Sequence, residues 1–161
     1  MRLLFLGDVV GRSGRDAISE RLPGLIAEHK FDFVVINGEN ASHGRGLTEN
    51  HYNELRAAGA DAVTLGDHSW DQRDTLTYIG REPTLIRPVN YAPGTPGRGA
   101  NLIEGRNGHR VLVINAQGRV FMDPVDDPFR AVEAAIAACP LGEQADAIIV
   151  DFHTEATSEI Q

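Results

Sequence analysis

The 161-residue sequence has a single cysteine, no long apolar run and a shortage of positive charge. Each shortage excludes something. One thiol, Cys139, cannot build a disulfide framework, and it points to a reducing compartment. No basic residue flanks it to lower its pKa, so it reads as a buried or inert cysteine and not as a nucleophile. The opening apolar run Leu3–Leu6 ends at Gly7-Asp8, far too short to cross a bilayer. The expectation is a soluble cytoplasmic protein without membrane contact. Lys and Arg total 15 against 23 Asp and Glu, a formal net charge of −8. Such a chain gains little by releasing counterions from a phosphate backbone, which excludes long nucleic acid as the default partner. Phosphate chemistry stays open only if bound cations reverse the local charge.

What is present suits one globular domain spanning residues 1–161. An apolar fraction of 42% supports a core, and a charged fraction of 24% argues against disorder. Nearly continuous apolar runs at residues 3–6, 33–36, 62–65, 110–114 and 147–152 have strand character. Continuous runs, unlike alternating ones, predict strands covered on both faces. Helical spacing lies between them. Ile18, Leu22, Leu25 and Ile26 recur on one face despite Pro23. Thr48 can cap a helix that ends at Gly59. Asp127-Pro128 reads as a cap and first turn ahead of Phe129, Val132 and Ile136. Alternating strands and helices predict an α/β fold. Residues 87–105, dense in proline and glycine, read as an irregular surface loop.

The chemistry is expected just beyond the strands. The first runs into Gly7-Asp8, the second into Asn37-Gly38-Glu39-Asn40, the third into Gly66-Asp67-His68, and the last into His153. Carboxyl ends of neighbouring parallel strands converge, and open α/β sheets bind ligands there. Asp8, Glu39, Asn40, Asp67, His68 and His153 are therefore expected in one pocket. Three carboxylates together need either raised pKa values or cations. Oxygen donors mixed with imidazole favour manganese, iron or zinc over magnesium alone. A bridging Glu39 would hold two ions about 3.5–4 Å apart. Taken singly, each piece has a duller reading. Asp8 is as easily a helix cap, Asn40 a turn residue, and His153 a surface or core histidine. Four polar clusters at four strand ends are hard to explain that way.

Other features carry less. The segment Gly7 to Gly14 follows a strand and opens a helix, a place where phosphate can bind. It lacks both the dinucleotide glycine pattern and the Gly-Lys-Ser/Thr ending of a phosphate loop, so a doubly wound nucleotide- or flavin-binding protein is the weaker reading. His43 lies in a glycine-flanked loop within reach of the pocket. Arg119 can meet a substrate phosphate or pair with Asp123.

Leu6-Gly7-Asp8-Val9-Val10-Gly11, Asn37-Gly38-Glu39-Asn40-Ala41, Gly66-Asp67-His68, Arg87-Pro88-Val89-Asn90-Tyr91, Gly118-Arg119-Val120-Phe121-Met122 and the stretch from Asp151 to Glu159 occur in this order along the chain. Together they resemble the YmdB-type members of the calcineurin-like metallophosphoesterases. The resemblance implies a layered α-β-β-α sandwich and hydrolysis of 2′,3′-cyclic nucleotides or related phosphodiesters. It implies two divalent ions, iron or manganese before zinc. Asp8 would bind one ion, Glu39 would bridge both, and Asn40, Asp67 and His153 would bind the second. His68 would be the general acid, with Asp71 placed to orient it.

The sequence departs from the family pattern at two places. Asp67 stands where the family usually has Asn, which should tighten metal binding and lower turnover. The family also continues past this C-terminus with Gly-Thr-His-Thr-His, whose two histidines complete the metal shells. The resemblance therefore implies a sandwich missing its C-terminal portion and a weak or inactive catalyst at this length. A bare sheet edge would favour homo-oligomers. The rival expectation is a non-catalytic homologue that binds a nucleotide or a protein partner.

Overall fold

The computed structural model describes residues 1–161. Two sheets account for its seven strands. The first is wholly parallel and runs β1 (Leu3–Leu6), β2 (Phe33–Asn37), β3 (Ala62–Thr64), β4 (Leu85–Ile86) in spatial order. The second is β5 (Ala100–Glu104), β6 (Arg110–Gln117), β7 (Ala147–His153), with β5 antiparallel and β7 parallel to β6. Helices α1 (Gly11–His29) and α2 (Glu49–Ala58) follow β1 and β2. The single turn α3 (Thr75–Tyr78) follows β3, and α4 (Pro128–Ala138) precedes β7.

The pleat divides the core into three. Phe33, Val35, Ala62 and Ile86 meet Ile103, Val111 and Val113 between the sheets. The alternate residues Val34, Ile36, Val63 and Leu85 turn outward onto Ile18 and Leu22 of α1 and Tyr52 and Leu55 of α2. Leu112 and Ile114 turn onto the face of α4 that carries Val132 and Ile136. The layers are thus α-β-β-α, as expected. Because β2 is buried along its whole length, its run is unbroken Phe-Val-Val-Ile. Each such side chain contributes about 1.5–3 kcal/mol by leaving water.

Caps fall where the sequence placed them. The Thr48 hydroxyl accepts from the N–H of His51 at 3.3 Å. Gly59 ends α2 at φ 118°, in the left-handed region. The Asp127 carboxylate accepts from Phe129 at 2.9 Å and Arg130 at 3.2 Å. Phe129 does not share the burial of Val132 and Ile136; it is exposed and meets Phe152 edge to face. Cys139 is buried, as expected.

Two expectations change. Residues 87–105 are not loop throughout: their last five but one form β5, paired along its whole length with β6. Only Ile103 of that strand is buried, so an edge strand of Ala-Asn-Leu-Ile-Glu gave no apolar run to read. Coverage on both faces also fails for β7, an edge strand whose Val150 is 40% exposed, and for β1. Strand β1 is likewise an edge strand, and its Leu3 and Phe5 remain 37% and 43% exposed. No helix is long and apolar enough to cross a membrane.

Candidate metal centre

The loops after β1, β2, β3 and β7 open onto one cavity of about 410 Å³. Asp8, Glu39, Asn40, Asp67, His68 and His153 all line it. The parallel pairing of β1, β2 and β3 brings three of these loops to the same edge. Further bonds latch the first two together: Val9 N–H to the Asn37 carbonyl at 3.3 Å and Gly11 N–H to the Asn40 carbonyl at 2.9 Å. Asp8 takes a left-handed φ of 52°, which turns its side chain off the strand, and its Oδ1 accepts from Asn40 Nδ2 at 2.9 Å.

Glu39 is the centre of the arrangement and is only 2% exposed. Its Oε1 lies 2.5 Å from His153 Nδ1, and its Oε2 faces the His68 backbone N–H at 3.5 Å. The carboxylate presses on the backbone of Gly66. A Cβ there would stand 2.1 Å from Glu39 Oε2, so the glycine is required by close approach. Asp67 Oδ1 lies 3.4 Å from His153 Nε2 and 3.7 Å from His68 Nε2. It is shielded from solvent and has no hydrogen-bond partner.

Ligand atoms of Glu39, Asp67 and His153 lie within 4.8 Å of one another. Asp8 and Asn40 share the cavity wall and bond to each other, outside that tight trio. No lysine or arginine lines the cavity, so its carboxylates need positive charge from elsewhere. Without a cation, His153 supplies it. The hydrogen bond that its Nδ1–H donates to the Glu39 carboxylate pushes the imidazole pKa up to about 9, against the opposing effect of burial. The orphaned Asp67 oxygen and the nearby imidazole and carboxylate donors fit a divalent cation well. A cation held there by Glu39, Asp67 and His153 would take the place of an imidazolium proton.

His68 stands beside this trio. Its Nδ1 is 3.1 Å from Asp71 Oδ2, the contact that the sequence only suggested. The two other candidates lie elsewhere. His43 takes a left-handed φ of 58° and its ring approaches His51, away from the cavity lining. Arg119 bonds through its backbone N–H to Glu159, and no ion pair with Asp123 forms.

Sequence reasoning missed the support beneath the site. Asp151 Oδ2 accepts from Thr64 Oγ1 at 2.5 Å, Asn37 Nδ2 at 2.9 Å and Asn115 Nδ2 at 3.4 Å. Asn37 also donates to the Leu65 carbonyl at 3.2 Å and accepts from the Glu39 N–H at 3.3 Å. One carboxylate thus ties β7 to β2, β3 and β6 at the floor of the cavity. The signal was a charged residue inside the apolar run Ala-Ile-Ile-Val-Asp-Phe.

Comparison with known proteins agrees with this geometry. Residues 4–161 match the family model described as YmdB-like protein. The chain is 48% identical over 159 residues to a 2′,3′-cyclic-nucleotide 2′-phosphodiesterase of Bacillus subtilis (strain 168), covering 99% of this chain and 59% of that protein. Among solved structures, a hypothetical protein from Thermus thermophilus superimposes with a TM-score of 0.87 at 43% identity, covering 99% of this chain and 60% of that one. A novel phosphatase from Mycoplasma pneumoniae follows with a TM-score of 0.84 at 35% identity, covering 96% and 56%. The chain therefore spans less than two thirds of each of these relatives. A match over nearly every residue, on a fold that gathers the six strand-end side chains, places the chain in the YmdB-like protein family.

Proposed function

We propose that the chain carries the cation-binding floor and the general acid of a phosphodiesterase acting on 2′,3′-cyclic nucleotides, in the cytoplasm. One observation carries the reading. Glu39 and His153 converge with Asp67, whose Oδ1 is orphaned, in a cavity without Lys or Arg, with a carboxylate-paired histidine at its side. The activity for which the Bacillus relative is named supports the choice of substrate. The lone buried thiol suits a reducing compartment.

Glu39, Asp67 and His153 would hold one cation; Asn40, expected with them, bonds instead to Asp8, so these two would hold the second together with Glu39. Manganese or iron is the expected metal. Bound cations would draw the phosphate oxygens and lower the pKa of an attacking water. The chain supplies the rest. Gly66 keeps the Glu39 carboxylate in place. Asp71 fixes the His68 ring by accepting from Nδ1–H, which leaves Nε2 facing the cavity. In its protonated form His68 delivers the Nε2 proton to the departing ribose 2′-oxygen as the P–O2′ bond breaks. Without that proton the leaving group is an alkoxide, and the barrier rises.

The test is metal content and hydrolysis of 2′,3′-cyclic AMP, measured on the same preparations of wild type, Glu39→Gln and His68→Ala. Wild type should bind manganese and hydrolyse the substrate. Glu39→Gln should lose metal. His68→Ala should keep metal and lose about 10²–10⁴-fold in turnover. A metal-loaded wild type that binds nucleotide without cleaving it would reject catalysis in favour of a binding homologue. Loss of metal in His68→Ala would reject the role given to that residue.

A further inference from the structure

Beside the metal-site cavity lies a second cleft of about 500 Å³, walled by Asp67, Phe121, Met122, Asp123 and Glu155. Asp67 and Glu155 line both spaces, so the two adjoin. We infer that this cleft receives the nucleobase and that the ring of Phe121 is the surface on which the base stacks. The inference rests on the reading of the site as a nucleotide phosphodiesterase.

Phe121 is 89% exposed, the most exposed large apolar side chain in the protein. A single exposed apolar residue needs no explanation by itself. The way this one is held does. Its backbone sits at φ 64°, in the left-handed region that disfavours a side chain with a Cβ. The loop that imposes this is clamped. Both Glu159 carboxylate oxygens accept from it, Oε1 from the Arg119 N–H at 2.8 Å and Oε2 from the Val120 N–H at 3.2 Å. Its root is tied to the site itself, through the Gly118 N–H and the His153 carbonyl at 2.8 Å. A Cβ on Gly118 would fall 2.4 Å from Glu159 Oε2, so the clamp needs glycine there. The clamped loop thus holds the Phe121 backbone in an unfavourable conformation at the edge of the site, with its ring facing solvent.

The chemistry of the walls decides what such a ring can meet. Asp123 and Glu155 repel a phosphate, which would favour the neighbouring cavity, where Glu39, Asp67 and His153 would hold a cation to meet it. The same carboxylates accept hydrogen bonds from the N–H edge of a base. Phe121 offers an aromatic face and Met122 a polarisable thioether, both suited to a flat heterocycle. A nucleotide anchored by its phosphate in the cavity would therefore extend its base towards Phe121.

The experiment compares two probes on the manganese-loaded chain by calorimetry: inorganic phosphate, and adenosine 3′-monophosphate. Wild type should bind the nucleotide more tightly than phosphate. Phe121→Ala should weaken nucleotide binding about 5- to 100-fold, the range for losing one base–aromatic stack. Phosphate affinity should not change, and Phe121→Trp should restore the nucleotide. In turnover assays with 2′,3′-cyclic AMP, Phe121→Ala should raise KM with kcat nearly unchanged. Equal nucleotide affinity in wild type and Phe121→Ala would overturn the inference, as would equal loss for both probes. A wild type that binds both ligands as expected but does not hydrolyse would defeat the phosphodiesterase reading and leave the base site standing. Failure to bind either ligand would overturn both.

Discussion

Gly66 and Glu39 share space that holds only one of two things, a Cβ or a carboxylate. With a Cβ only 2.1–2.6 Å from three atoms of that carboxyl group, Gly66→Ala must push Glu39 off its position. The variant should keep its circular dichroism and lose most of its bound manganese, measured by elemental analysis after gel filtration. Retention of full metal content would show that Glu39 can bind from another position. Asp71 offers a gentler test. In Asp71→Asn the His68 ring loses its carboxylate at Nδ1 while the metal trio is untouched. Turnover should fall by roughly tenfold or more with metal content unchanged. At this scale the sequence was informative wherever a polar residue interrupted an apolar run at its end. Asp8, Glu39, Asn40, Asp67, His68 and His153 all lie at or just past a strand end, and all line one cavity. What the spacing did not carry was distance. Glu39, Asp67 and His153 form the tight group, whereas Asp8 and Asn40 bond to each other, and no pattern in one dimension distinguishes these cases.

The same lesson holds for elements, with a different cause. Strand β2 was legible because burial on both faces demands an unbroken apolar run. Strands β4 and β5 were not, because two residues make no pattern and an edge strand of mixed polar and apolar residues shows no apolar run. The least legible feature was the link between sheets. Asn37, Thr64, Asn115 and Asp151 lie on four strands and read separately as ordinary polar residues. Their meaning appears only when the sheets stack and three donors converge on one carboxylate oxygen. Asp151→Ala would leave those donors in a largely buried place without an acceptor, at a cost of about 2–4 kcal/mol in unfolding free energy. Because Asn37 also bonds to the Glu39 N–H and the Leu65 carbonyl, the loss should loosen both loops that carry the candidate ligands Glu39 and Asp67. Asp151→Asn keeps one acceptor oxygen and should recover part of the stability. Urea melts of the three proteins test this; an unchanged midpoint in Asp151→Ala would mean that water replaces the carboxylate at no cost.

For the molecule as a whole, the governing quantity is charge. A net −8 includes the carboxylates of a cavity that no basic Lys or Arg side chain enters. Their mutual repulsion opposes folding in the absence of metal, and only the Glu39–His153 pair offsets it strongly within the tight trio. A cation that binds the folded chain and not the unfolded one adds RT ln(1 + [M]/Kd) to stability, about 2.7 kcal/mol at a hundredfold excess over Kd. For a domain of this size each kcal/mol raises Tm by about 2–4 °C. Saturating manganese should therefore raise Tm by roughly 5–10 °C, and chelation should reverse it. The shift should shrink sharply in Glu39→Gln, which separates binding at this centre from loose association with surface acids. Sodium chloride at matched ionic strength provides the second control, since screening alone acts on every exposed carboxylate and not on a coordinated ion. A Tm that responds to manganese and to sodium chloride alike, or equally in wild type and Glu39→Gln, would mean that the cavity holds no specific cation. The converging carboxylates would then be a cost to folding that the fold bears without a ligand.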